Sequence, residues 1–369
     1  MGKCQSKPGV KGEEGDAALV SLEAVAKEYG ASIEHLVSWA KSGTPEQKAK
    51  SAQALARLAE QDEHQVLLVS KAGVLTPLVG LLHSEDSMIR SAAIAALANL
   101  ALHESNQDTI VKEVGAARVV QLARGAGTAP GAAPDEGHGR VRLHAAGAIA
   151  NLAYNNPRAE KALLDAGAAE ALSECVRSPD EALAAEAGAA LANLARNPAS
   201  HQRLLSGGAA EALHGLLARG REGQTQAARA LHNLALGEAG ASGAALRERG
   251  VLAAYVGLVQ EPDAELARLG VAALEALSAD AGTAASLVQD YVGAVEALLL
   301  LLKSEVHRHL AVRTVANLCA VKANHPRLTA AGAVGALISL TRLEDVEVHA
   351  AAQVALTAIA ESGGLSRSC

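Results

Sequence analysis

The stretch Leu97-Ala98-Asn99-Leu100-Ala101 closes an apolar segment that opens at Ile89. It returns as Ile149-Ala150-Asn151-Leu152-Ala153, Leu191-Ala192-Asn193-Leu194-Ala195 and Leu231-His232-Asn233-Leu234-Ala235. Weaker copies run Leu274 to Ser278, Val315 to Cys319 and Leu356 to Ala360, and a degenerate one is Leu55-Ala56-Arg57-Leu58-Ala59. The interval is 40–43 residues, except for 52 between Asn99 and Asn151. Self-similarity at that period is the mark of a repeat array, which grows by stacking rather than by splitting into globules. Before each cluster stands a glycine: Gly73, Gly115, Gly167, Gly207 or Gly208, Gly250, Gly293 and Gly332.

Within one copy the period is helical. Ile89, Ala93, Ala96, Leu97 and Leu100 fall on one face of an α-helix. Leu75, Leu78, Val79, Leu81 and Leu82 predict a second helix, and residues 64–71 a short first one. Gly73 separates those two, where a sharp turn favours a residue without Cβ. The sequence therefore predicts an all-α solenoid over residues 32–361, one partial plus seven repeats. A flexible tail precedes it at 1–31, and a disordered one follows at 362–369. The long copy carries an insertion from Gly125 to Gly139, read as a loop between second and third helices. It lacks the G-x-x-x-x-G-K-[ST] pattern of a phosphate loop.

Composition agrees. Aromatic residues make up 1% of the chain and there is no Phe, so the core must be Ala, Leu and Val packed across many helices. The net charge of −7 gives no basic excess that points to nucleic acid. No apolar run reaches the ~18–20 residues needed to cross a bilayer, and no secretory segment follows Met1. Cys4, Cys175, Cys319 and Cys369 are scattered, which indicates neither a disulfide framework nor a metal site. No G-x-S-x-G or H-E-x-x-H is present, and His307 and His309 have no Cys or carboxylate at ligand spacing. The expectation is a non-enzymatic cytoplasmic protein with no cofactor and no small-molecule substrate.

Three helices per ~42 residues, a glycine turn and a terminal Asn-Leu-Ala resemble the armadillo-repeat family. That resemblance implies a right-handed superhelix, about 70 Å long at roughly 10 Å per repeat. It also implies that the last helix of each repeat lines a concave groove for protein partners, as extended peptides or helices. The groove Asn would be Asn99, Asn151, Asn193, Asn233 and Asn317; Ala276, Ala358 and Arg57 replace it elsewhere. An Asn side chain offers a donor and an acceptor, which matches one peptide unit of a ligand. The same amide also serves to tie neighbouring helices, and the sequence leaves both roles open. The nuclear-import receptors of the family carry Trp one turn earlier. Here that row is Ala95, Gly147, Ala189, Arg229, Ala272 and Arg313, and the one Trp, Trp39, lies elsewhere. Arg229, Arg268, His309 and Arg313 predict a locally basic stretch that would favour acidic partner segments.

The chain opens Met1-Gly2-Lys3-Cys4-Gln5-Ser6-Lys7, which fits the N-myristoylation pattern M-G-x-x-x-[ST]. Cys4 stands where a thioester-linked second acyl chain would attach, and Lys3, Lys7 and Lys11 precede any acidic residue. One myristoyl chain binds membranes marginally, and a second signal makes the anchorage stable. An acylation motif leading into such repeats resembles the vacuolar protein 8 family of membrane adaptors and the apicomplexan "armadillo repeats only" protein. The resemblance implies an adaptor peripheral on a cytosol-facing membrane, such as that of a vacuole. The alternative is a soluble regulatory or ubiquitin-ligase-associated subunit. A U-box joined in cis is not expected, since only ~30 residues precede the array.

Overall fold

The computed structural model describes residues 23–24, 26–70, 72–125, 136–237, 245–247, 250–291 and 293–362. All regular structure among them is helical, and it divides at Leu194/Ala195 into two compact units. In the first unit, α1 (Ile33–Ser42) and α2 (Pro45–Ala59) form the partial repeat. Three triplets follow: α3 (Asp62–Ser70), α4 (Leu75–Leu81), α5 (Ser87–Leu100); α6 (Glu104–Val114), α7 (Ala116–Ala123), α8 (Glu136–Ala153); and α9 (Pro157–Asp165), α10 (Ala168–Val176), α11 (Glu181–Leu194). The second unit holds α12 (His201–Ser206), α13 (Ala209–Leu216), α14 (Arg221–Ala235), α15 (Leu252–Val259), α16 (Ala264–Ser278), α17 (Ala281–Gln289), α18 (Ala294–Leu301), α19 (Arg308–Cys319), α20 (His325–Ala330), α21 (Ala333–Leu340) and α22 (Val346–Ser362).

The glycine turn is as expected. Gly73, Gly115, Gly167, Gly208, Gly250, Gly293 and Gly332 all have φ between 62° and 87°, where L side chains are strained. The ambiguous pair resolves to Gly208, because Gly207 sits at φ −78°. Third helices begin on aspartate caps: Asp86, Asp180, Asp263 and Asp345 each accept two backbone N–H bonds through Oδ1.

Buried Leu and Ala side chains fill the interior, as the lack of Phe requires. Each fully buried Leu contributes about 1.5–3 kcal/mol. The largest fully buried side chain is Tyr255, whose hydroxyl donates to Leu231 O at 2.9 Å. Burial pushes the pKa of that phenol upward. Cys175 and Cys319 are buried, and desolvation pushes the Cys319 thiol up to about 12.

Three boundaries differ from expectation. Glu136–Gly139, read as part of a loop, begin α8, and buried Arg90 explains why a helix extends there: its Nη2 meets His138 Nε2 at 3.4 Å. Residues 126–135 of that insertion lie outside the described residues. The N-terminal tail is shorter than 1–31, because residues 26–28 are helical and Ala26 is fully buried. At the other end Ser362 still belongs to α22.

Candidate peptide-binding surface

Within the first unit the third helices α2, α5, α8 and α11 pack side by side in sequence order. In the second, α14, α16, α19 and α22 do the same. Each presents one stripe outward at spacings of four and three residues. On α5 the stripe is Met88, Ala92, Ala95, Asn99 and Leu102; on α11 it is Ala182, Glu186, Ala189, Asn193 and Arg196. Every residue in these two stripes is exposed or half-buried. The stripe of α8 includes Gly147, Asn151 and Tyr154. Gly147 is buried there because Glu186 of α11 covers it, its carboxylate 2.9 Å from where a Cβ would stand. Met88, Leu102 and Tyr154 are the exposed large apolar residues among the described residues of the first unit, and all three belong to these stripes.

The asparagines occupy a fixed place in this surface. Asn151 Nδ2 donates to Ala98 O at 2.8 Å, Asn193 Nδ2 to Ala150 O at 2.9 Å, and Asn99 Nδ2 to Ala56 O at 3.4 Å. In the second unit Asn317 Nδ2 donates to Glu275 O at 3.2 Å and Ser278 Oγ at 3.0 Å. Each accepting carbonyl belongs to the residue just before the equivalent position of the preceding repeat. Those carbonyls are in the last turn of a helix, where no intrahelical N–H reaches them. One amide N–H of each Asn thus closes the helix next door. Asn99, Asn151, Asn193, Asn233 and Asn317 are all half-buried. For Asn99, Asn151 and Asn193, Oδ1 and the second N–H have no partner among the described residues, so the amide holds donor and acceptor in reserve, whereas Asn317 gives its Nδ2 to both Glu275 O and Ser278 Oγ.

Two further polar ties were not legible as motifs. In four of the repeats the first residues cap the helix before them. Asn106 Nδ2 takes Leu100 O and Gln107 Nε2 takes Ala101 O; likewise Asn324 takes Leu318 O and His325 takes Cys319 O. His64 and Gln65 repeat this on Leu58 O and Ala59 O, and His201 on Ala195 O. Nine residues before the Asn, a cation closes the second helix: Arg90 to Ser84 O and Glu85 O, Arg142 to Ala123 O, Arg308 to Leu302 O. His349 fills that position on Thr341 O. The signal available in the sequence was register: His64, Asn106 and Asn324 each stand six places after the Leu whose carbonyl they cap.

The basic stretch is corrected by its neighbours. Arg313 Nη2 meets Glu275 Oε1 at 2.6 Å, and Arg268 pairs with both oxygens of Glu265 at 2.8 Å. His309 lies 2.9 Å from Asp345 Oδ2 and 3.7 Å from Glu347 Oε2. Arg229 donates to Gln226 at 3.4 Å and senses the charge of Glu265. Carboxylates from the same helix and from adjacent repeats therefore offset most of the positive charge, and the surface in this unit is mixed rather than basic. The hydrogen bond from Arg268 holds the Glu265 carboxyl below the usual carboxylate range. Two histidines on these helices, His144 and His232, are pushed down from the usual imidazole value, by burial first and then by Arg140 and Arg268.

Gly2 and Cys4 lie outside the described residues. No single helix among the described residues is long and apolar enough to cross a membrane. No cluster of three His, Cys, Asp or Glu among them is placed to hold a metal.

The family pattern described as armadillo/beta-catenin-like repeat matches residues 62–102, the span of α3 to α5 with the two residues after it. No curated protein matches the chain significantly. Among solved structures, the crystal structure of an engineered protein is similar at 30% identity and TM-score 0.75, over 90% of this chain and 82% of that one. A designed armadillo repeat protein is similar at 28% identity and TM-score 0.60, over 66% of this chain and 99% of its own. Another, solved in complex with the peptide (KR)4, has 27% identity and TM-score 0.59, over 67% and 100%. Helical triplets, positive-φ glycine turns and an Asn row on stacked third helices agree with that likeness: this chain has the fold of an armadillo-repeat α-solenoid.

Proposed function

We propose that this chain is a membrane-anchored adaptor that holds protein partners along the outward stripes of its third helices. The observation that carries the scaffold reading is the Asn row. In the first unit the amides of Asn151 and Asn193 are fixed in orientation by one bond to the neighbouring helix and keep a donor and an acceptor free. An extended peptide needs such a pair at regular intervals, because its backbone presents one N–H and one C=O per residue. The designed relative crystallised with (KR)4 supports peptide binding on this architecture. The partner here need not be basic: Met88, Leu102 and Tyr154 add apolar contact, and Arg268 and Arg313 of the second unit are already paired with carboxylates.

Anchorage rests on the sequence Met1 to Lys7. Acylation of Gly2 and of Cys4 gives two membrane signals where one would be marginal. The acyl chains set residence on a cytosol-facing membrane, vacuolar or other, and the repeats set what is recruited there. The test is intact mass of the protein from its own cells, with membrane fractionation of wild type, Gly2→Ala and Cys4→Ser. One myristoyl and one thioester-linked acyl group, with membrane association lost in Gly2→Ala, is the expected result. An unmodified, wholly soluble protein removes the anchor and leaves a soluble interaction subunit.

A further inference from the structure

Away from the third-helix stripes, α1, α2 and α4 border a half-open cavity of about 330 Å³. That is the lower end of the range in which small ligands are held. Its apolar lining is Ala40, Pro77 and Leu81, all buried. Its polar lining is Lys41, Lys48, Thr76, His83 and Ser84. No carboxylate lines it.

Lys50 has Glu46 at 3.6 Å, as exposed lysines on helices commonly do. Lys41 and Lys48 line the cavity, yet neither side chain makes an ion pair or hydrogen bond with a described residue. Two like charges carried on the walls of one small space repel each other, and an anion between them turns that repulsion into attraction. The neutral donors complete the set. Ser84 Oγ accepts from Asp86 N at 3.2 Å, which leaves its O–H to donate. His83 Nδ1 is 2.9 Å from Val79 O, so that nitrogen carries the proton and donates.

We propose that this cavity binds a phosphate monoester on a small polar headgroup. Such a group carries roughly −1.5 to −2 charge at neutral pH and three acceptor oxygens, which suits two ammonium groups and two hydroxyls. Gly80 keeps the space open: a Cβ added there meets nothing within 4 Å. The site stands on the cavity alone and holds whether or not Gly2 and Cys4 are acylated.

The experiment uses the full chain made without acylation, so that the anchor contributes nothing. Myo-inositol 1,4,5-trisphosphate is titrated calorimetrically into wild type, Lys41→Gln/Lys48→Gln and Gly80→Leu. Co-sedimentation is run beside it with phosphatidylcholine vesicles, with and without a phosphatidylinositol bisphosphate. Wild type binds, and each variant loses at least about tenfold in affinity while keeping its melting temperature and helical circular dichroism. Binding of the soluble ester alone assigns the site to free phosphate esters. Binding of the phosphorylated vesicles at lower concentration assigns it to lipid headgroups. Wild type that binds neither probe, or variants that bind as tightly as wild type, overturns the proposal; Gly80→Leu decides this even if the lysine variant does not fold.

Discussion

Replacing Asn151 by Ala removes the Nδ2 bond to Ala98 O, the shortest of the Asn ties at 2.8 Å. A neutral hydrogen bond contributes about 0.5–1.5 kcal/mol net, and a buried carbonyl left without a donor costs about 1–3 kcal/mol. Ala98 is 7% exposed, so water reaches its carbonyl only partly once the side chain is gone. Against this, Ala gains up to ~0.7 kcal/mol over Asn in a helix interior. The balance is a loss of about 1 kcal/mol. Asn99 gives the comparison, because its tie at 3.4 Å lies beyond the usual hydrogen-bond range. There the propensity gain cancels the lost bond, and Asn99→Ala is close to neutral. Equilibrium urea unfolding followed by circular dichroism measures both. With a slope of about 1–3 kcal/mol/M, Asn151→Ala lowers the midpoint by roughly 0.3–1 M, Asn193→Ala by a similar amount, and Asn99→Ala by much less. A neutral Asn151→Ala, or an Asn99→Ala as costly as Asn151→Ala, refutes the assignment of these asparagines as ties between third helices.

Gly270→Ala destabilises the second unit by about 1–3 kcal/mol, since its Cβ would stand 2.7 Å from Leu258 Cβ and 2.9 Å from Val259 N. Gly147→Ala meets only the Glu186 side chain, which can move, so thermal melts show it neutral or stabilised by up to ~1 kcal/mol. His144 and His232 are held below the usual imidazole value in the folded protein, so the unfolded chain takes up protons first as the pH falls. Their contribution is present above about pH 6.5 and is lost as the pH drops from there toward the folded values. The urea midpoint is therefore lower at pH 5.5 than at pH 7.5, and His144→Gln/His232→Gln makes that fall shallower; an unchanged fall contradicts the assignment. A double-mutant cycle on Arg313 and Glu275 yields a coupling of about 0.2–1 kcal/mol at low salt that shrinks in high salt, because Arg313 is 59% exposed.

The array was legible because each copy rewrites the same constraint. A Gly must take positive φ at every helix-to-helix turn, and the Leu and Ala beside each Asn must fill the same interior place, so both recur at one period. The choice between Gly207 and Gly208 was not legible, because either places a glycine near the turn and only backbone geometry separates them. The capping residues escaped notice because His, Asn and Gln can all donate to a helix-end carbonyl, so the role recurs while the residue changes. The charge balance around Arg313 and His309 depended on Glu275 and Asp345, which come from neighbouring repeats more than thirty residues away. The cavity between α1, α2 and α4 was hidden for the same reason: Lys41, Lys48 and His83 are unremarkable singly and meet only after packing.

The central claim is that partners lie along the third-helix stripes. The measurement that tests it places a photo-crosslinking amino acid at Ala95 or Ala189 on those stripes, and at exposed Ala117 on α7 as control. Crosslinking is done in the protein's own cells, the captured segment is sequenced, and its synthetic copy is titrated into wild type and Asn151→Ala/Asn193→Ala. The account predicts capture from Ala95 and Ala189 but not from Ala117, and a peptide that binds the double variant at least about fivefold more weakly. Capture from Ala117 alone, or equal binding by the double variant, contradicts it.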